Sequence, residues 1–94
     1  MGSYKITQQA EDDLQRIYSY GVERYGLKRA DKYHDELFDE FVNIAKNPFM
    51  YQAVNNISKN YRRCVCGSDS IFYRIVEDDT VEIVTIIGRQ DIDN

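Results

Sequence analysis

The sequence predicts a single small α+β domain over residues 1–94: a strand, an antiparallel helical hairpin, and a small twisted, largely antiparallel sheet beneath it, in the order β-α-α-β-β-β. Three observations predict it. Apolar residues recur at helical spacing from Ala10 to Ala45. From Tyr61 onward the period becomes alternating. The connections between neighbouring runs are short, which forces those neighbours to lie antiparallel.

Tyr4-Lys5-Ile6-Thr7 alternates and reads as the first strand. Thr7 is placed to cap the helix that follows, because its hydroxyl can accept from a free amide of the first turn. Ala10, Leu14, Ile17, Tyr18, Gly21 and Tyr25 form that helix's apolar stripe. The acidic run Glu11-Asp12-Asp13 is expected to be a solvated helix start, favoured by the positive end of the dipole. Gly26 is free to take positive φ and to end the helix.

A second helix is predicted from Leu27 or Lys28 to Lys46, on the stripe Ala30, Tyr33, Leu37, Phe41, Ile44 and Ala45, widened by Phe38. Asn47-Pro48 stops it, since proline cannot continue the backbone ladder. Phe49 to Asn60 has no clean period and is expected to be a loop pinned by Phe49, Tyr51, Val54 and Ile57.

Three strands follow: Tyr61–Cys66, Ser70–Glu77 and Val81–Ile87, separated by turns at Gly67-Ser68-Asp69 and Asp78-Asp79. Alternation in the middle strand puts Ile71, Tyr73 and Ile75 on one face, and Phe72, Arg74 and Val76 on the other. One face should cover the hairpin. The other, part apolar and carrying arginines, has a composition suited to a partner.

Charge narrows the function. The formal net charge is −4 and the pI is near 4.9. Phosphate neutralisation supplies most of a nucleic-acid binder's affinity, so this chain's overall field opposes RNA. Acidity favours protein partners instead. The longest apolar runs fall far short of the ~20 residues that span a bilayer. No basic flank and apolar h-region open the chain, so no signal peptide is expected.

Cys64 and Cys66 are two apart, on one face of a strand, at a separation that strains a disulfide. They are expected to be half-buried, reduced thiols, which fits a cytoplasmic protein. A metal site lacks ligands, because the one histidine, His34, is distant in sequence. His34 itself is expected to be partly buried with a hydrogen-bond partner. No glycine-rich phosphate loop is present and no cofactor is expected.

Several segments occur in order: Tyr4-Lys5-Ile6-Thr7, the run Ala10 to Tyr18, Tyr25-Gly26, and Ala30-Asp31-Lys32-Tyr33. After them come Asn47-Pro48, Tyr61-Arg62-Arg63, Ile71 to Ile75 and Ile86 to Asp91. In that order and spacing the chain resembles the ParE-type toxins of the RelE/ParE toxin–antitoxin superfamily, over nearly its whole length. The resemblance rests on the ordered set, not on any one motif.

The resemblance implies the toxin of a type II toxin–antitoxin pair, neutralised by a cognate ParD-like antitoxin. It implies inhibition of DNA gyrase by protein–protein contact, with DNA met only indirectly through the antitoxin. The antitoxin's C-terminal segment is expected to fold onto the toxin, as a helix against the hairpin and an extended piece along the sheet. Expected antitoxin-binding residues are Leu14, Tyr18, Tyr33, Leu37, Phe41, Arg63, Tyr73 and Arg74. Expected gyrase contacts are Arg62, Ile86, Ile87, Arg89, Gln90 and Asp91.

Two alternatives stay open: a ribosome-dependent ribonuclease like the RelE branch, and an inactive toxin that only binds antitoxin and co-regulates its operon. RelE-like enzymes place a Tyr or His near the end of the last strand, whereas this chain ends Gly88-Arg89-Gln90-Asp91-Ile92-Asp93-Asn94. That difference, and the acidic charge, favour a binder without catalytic residues. An unperturbed tyrosine titrates near pH 10, so Tyr61 and Tyr73 are poor acid–base groups.

Overall fold

The structure is a computed structural model that describes residues 2–54 and 60–88. Strand β1 (Ser3–Ile6) leads into α1 (Gln8–Tyr25), and α2 (Leu27–Lys46) follows. Strands β2 (Gln52–Ala53), β3 (Tyr61–Cys66), β4 (Asp69–Glu77) and β5 (Thr80–Gly88) complete the chain. They form one five-stranded sheet in the order β1-β5-β4-β3-β2. The β1–β5 pair is parallel and the others antiparallel, so the expected fold class is observed.

Local chemistry sets the element ends. Thr7 Oγ1 accepts from the Ala10 amide, as a capping threonine should. Gly26, at φ 94°, alone joins α1 to α2; its amide donates to Val22 O, and its own carbonyl accepts from Ala30 N–H. The α2 ladder ends where the Asn47 amide donates to Asn43 O, before Pro48. The expected loop after α2 departs from the sequence reading at Gln52–Ala53, which pair with Arg63 and Arg62 as a fifth strand. Two residues show no alternation, so no period could mark them.

The core lies between the hairpin and one sheet face. Leu14, Leu37, Phe41, Ile71, Tyr73 and Ile83 are among its buried members. Both cysteines are free and belong to it, more deeply buried than expected. The Tyr73 hydroxyl donates to Pro48 O, which ties the end of α2 to the sheet. Tyr25 departs from the α1 stripe and is exposed, because α1 ends there beyond the sheet.

Asp13 is a second departure. It is buried instead of solvated, and it shares the α1 stripe with Ala10, Leu14 and Ile17. In β5, Val84 is skipped in the register, since Phe72 faces Thr85 and Tyr73 faces Ile83. This bulge breaks the strand just past the last β1 pairing, Ile6 with Ile83. Side chains of α1 then take the place of a neighbouring strand. Thr7 Oγ1 donates to Val84 O at 2.7 Å, Asp13 Oδ2 accepts from Ile86 N–H at 3.0 Å, and Arg16 donates to Ile86 O at 3.2 Å.

Candidate partner-binding surface

Three surfaces could receive a partner, and each follows from how the elements cross. The first is a groove of about 670 Å³ between the hairpin and the β3–β4 turn. Tyr18, Tyr33 and His34 line it, with Arg16, Arg29 and Lys32 along the walls. Tyr33 is anchored at its base: its hydroxyl lies 2.6 Å from Asp69 Oδ2 and 2.7 Å from Cys66 O and donates to them. Burial first, then the Asp69 carboxylate, pushes the Tyr33 phenol well above its ordinary value. It is therefore a fixed, neutral donor.

Gly67 makes that anchor possible. Its φ is 58°, and a Cβ there would stand 2.8 Å from the Tyr33 ring. A tight turn and a close approach coincide at this one residue.

Tyr18 donates to Asp31 across the hairpin, and this carboxylate raises the titration of its phenol. His34 packs between Tyr18, edge to face at a centroid distance of 5.6 Å, and Phe38, tilted at 4.8 Å. The expected hydrogen bond to His34 is not among those of the described residues; the imidazole is held by its aromatic neighbours.

The second surface is the sheet face away from the helices. Arg63 and Arg74 share it, while Arg62 points to the opposite face. Arg63 Nε donates to Ser70 Oγ at 2.9 Å, and Arg74 Nε donates to Glu82 Oε1 at 2.8 Å. Phe72, between them in register, is buried, whereas Val65 and Val76 are exposed. Arg62 donates to Tyr51 O at 2.7 Å and lies over the Phe49 ring, which braces the segment after α2.

The third surface is the end of β5. Ile87 is part-exposed there, while Ile86 is wholly buried. Arg89, Gln90 and Asp91 lie outside the described residues.

The expected contact residues therefore divide. Tyr18 and Tyr33 both line the groove, and Arg63 and Arg74 share the outer sheet face. Leu14, Leu37, Phe41, Tyr73 and Ile86 are core. Their helical or alternating positions mark buried faces, and here the molecule's own hairpin and sheet fill those faces. Sequence reasoning missed Asp13 and Asp69 as buried carboxylates; Asp13's place on the apolar stripe was the available signal.

The two thiols and the core tyrosine are tuned away from reactivity. Burial first, then Glu40, pushes Cys64 up to about 12, and its thiol donates to Glu40 at 3.4 Å. Burial and the carboxylates of Glu40 and Glu36 push Cys66 up to about 11. Burial raises Tyr73 despite the opposing charge of Arg62. Among the described residues no group of three His, Cys, Asp or Glu side chains is arranged to hold a metal ion. Nor is any described helix long and apolar enough to cross a membrane.

Comparison with known proteins agrees with this architecture. The family described as "ParE toxin of type II toxin-antitoxin system, parDE" matches residues 4–93. Toxin ParE1 of Caulobacter vibrioides is 36% identical over 89 residues, covering 95% of this chain and 91% of that protein. Toxin ParE1 of Mycobacterium tuberculosis is 30% identical over 91 residues, covering 96% and 93%. In fold, the chain is similar to one from the chromosomal ParDE TA system of P. aeruginosa, with TM-score 0.79, 21% identity, and 94% and 96% of the chains covered. A chain of the RelBE2 toxin–antitoxin complex of Mycobacterium tuberculosis gives TM-score 0.63 at 17% identity, with 94% and 98% covered. The chain belongs to the ParE toxin family of type II toxin–antitoxin systems.

Proposed function

We propose that this toxin acts by holding protein partners: a ParD-type antitoxin that neutralises it, and DNA gyrase, which it inhibits. The observation that carries the reading is the groove. It is open and lined by Arg16, Arg29 and Lys32 against Glu36 and the Tyr33-bonded Asp69, with tyrosines whose hydroxyls already serve neighbouring carboxylates. Such a site suits an apolar side chain of a docking peptide, with its acidic groups on Arg16, Arg29 and Lys32. Tyr18 and Tyr33 are the aromatic contacts, and Arg63 and Arg74 receive the extended part along the sheet. Among the described residues each arginine holds a single side-chain oxygen, which leaves further guanidinium donors for a carboxylate.

The binding reading also rests on protonation. Tyr33 and Tyr73 have their phenols raised by burial, which suits a hydrogen-bond donor and not a proton acceptor.

A supercoiling assay with purified toxin tests the target. Inhibition with accumulation of linear DNA, relieved by the cognate antitoxin, is the expected result. Cleavage of translated messenger RNA with gyrase unaffected would replace this reading by the ribonuclease one. Antitoxin binding without either effect would leave a regulatory toxin only.

A further inference from the structure

We propose that the tip of the helical hairpin is the surface that meets the toxin's target, and that the target presents an acidic, apolar-lined cleft to it. The inference rests on the gyrase reading above and goes beyond it by assigning the docking element.

The tip is an apolar cluster in open solvent. Tyr20 and Tyr25 are each 53% exposed and Leu27 is 59% exposed. Space around it is free, since a Cβ added to Gly26 would meet nothing within 4 Å. The two helices are joined by that one residue, so the tip is a stiff convex knob. Holding its side chains in place costs a partner little ordering.

The tip is also basic in an acidic chain. Between Tyr20 and Lys32 four cations (Arg24, Lys28, Arg29 and Lys32) face two acids, Glu23 and Asp31, while the whole chain carries −4. One of those acids is engaged by Tyr18. Arg29 lies 5.2 Å from the Tyr25 ring centre, which keeps a guanidinium on the aromatic surface.

Folding does not ask for this charge. The first turn of α2 holds no acid and its cap residue supplies no side-chain bond. Lys28 and Arg29 stand instead at the positive end of the helix dipole, where cations are disfavoured. Arg29 gains the Tyr25 ring in return, but among the described residues Lys28 makes no ion pair, and a local rule broken without structural gain marks a position kept for another purpose. An acidic partner surface supplies the missing complement.

The occupant is a folded protein surface. The inner side of the tip, with Tyr20, Tyr25, Arg29 and Lys32, also walls the antitoxin groove, whereas Arg24, Leu27 and Lys28 lie outside it, where a wrapping segment has no groove to enter. A nucleic-acid backbone would need a purely basic face, whereas Glu23 and three bulky apolar side chains interrupt this one.

The test uses the full-length toxin with the double variant Arg24→Glu/Lys28→Glu and, separately, Leu27→Ala. None of these three residues lines the antitoxin groove. Folding is checked by melting temperature. The double variant should inhibit gyrase about tenfold less, and Leu27→Ala should show a smaller loss. Antitoxin affinity should stay unchanged. Wild-type inhibition should weaken as salt rises, and the double variant's should respond less. Undiminished inhibition by both variants overturns the assignment. So does a parallel loss of antitoxin affinity, which would give the tip to the antitoxin. Binding of wild-type toxin to duplex DNA alone, lost in the double variant, overturns it in favour of phosphate recognition. If wild-type toxin leaves gyrase untouched, the gyrase reading fails first and this inference falls with it.

Discussion

The Asp13 carboxylate accepts the Ile86 amide at 3.0 Å and the Thr85 hydroxyl at 2.6 Å, so a helix side chain stands beside β5 where β1 no longer reaches. Burial alone would raise the Asp13 pKa. The bonds from Thr85, Ile86 and Gln9, with the Arg16 charge, outweigh it and hold the group below its ordinary value of 3.8. The two partners on β5, Thr85 and Ile86, make this the tether between the hairpin and the stretch of β5 beyond β1.

Asp13→Ala should destabilise the toxin by about 1–3 kcal/mol at neutral pH, because it leaves the Ile86 amide without an acceptor. Asp13→Asn should cost less, since its amide oxygen can still accept. The folded pKa is depressed, so the contribution of Asp13 is complete above 3.8 and is lost as pH falls through the lower folded value. Urea unfolding at neutral and acid pH checks both: the gap between wild type and Asp13→Asn should narrow in acid.

Gly67→Ala should destabilise by more than about 1 kcal/mol, because φ is 58° and the new methyl meets the Tyr33 ring. Tyr33→Phe should cost about 1–3 kcal/mol by leaving the buried Asp69 carboxylate without its donor. Tyr33→Ala removes the obstruction, so its double variant with Gly67→Ala should be less unstable than the two single losses combined. Thermal melts of the four proteins decide this.

Cys64 and Cys66 should react slowly with Ellman's reagent in the native state and fast after denaturation. Their thiols are buried and raised to about 12 and 11 from 9.0, and the thiolate is the reactive form. Native-state stability held by these neutral thiols is complete below 9.0 and is lost as pH rises through about 11 to 12. Rapid labelling of the folded protein at neutral pH would contradict the burial of this pair.

Leu37→Ala should cost about 2–5 kcal/mol, since Leu37 is almost fully buried between hairpin and sheet. Antitoxin binding by the surviving folded fraction should be unaltered. Tyr18→Ala and Arg74→Ala should behave in the opposite way, losing little stability because each removes one solvent-exposed bond, and losing about tenfold in antitoxin affinity. Calorimetric titration together with melting separates the two groups.

What the sequence determined by itself was local and periodic. Thr7, Gly26 and Pro48 bounded the two helices because capping, positive φ and the missing amide act within a few residues. Alternation set Arg62 and Arg63 on opposite faces of β3, and the register with β4 decided that Arg63 is the one beside Arg74. What only the tertiary structure decided depended on groups far apart in the chain. β1 joins β5 across more than seventy residues, Asp13 turns inward to meet Ile86, and the bulge at Val84 opens the edge it serves. A residue's own neighbours cannot tell whether its apolar stripe meets the molecule's own sheet or a partner. That is why Leu37, Phe41 and Tyr73 became core, while Tyr18, Arg74 and the hairpin tip stayed at the surface.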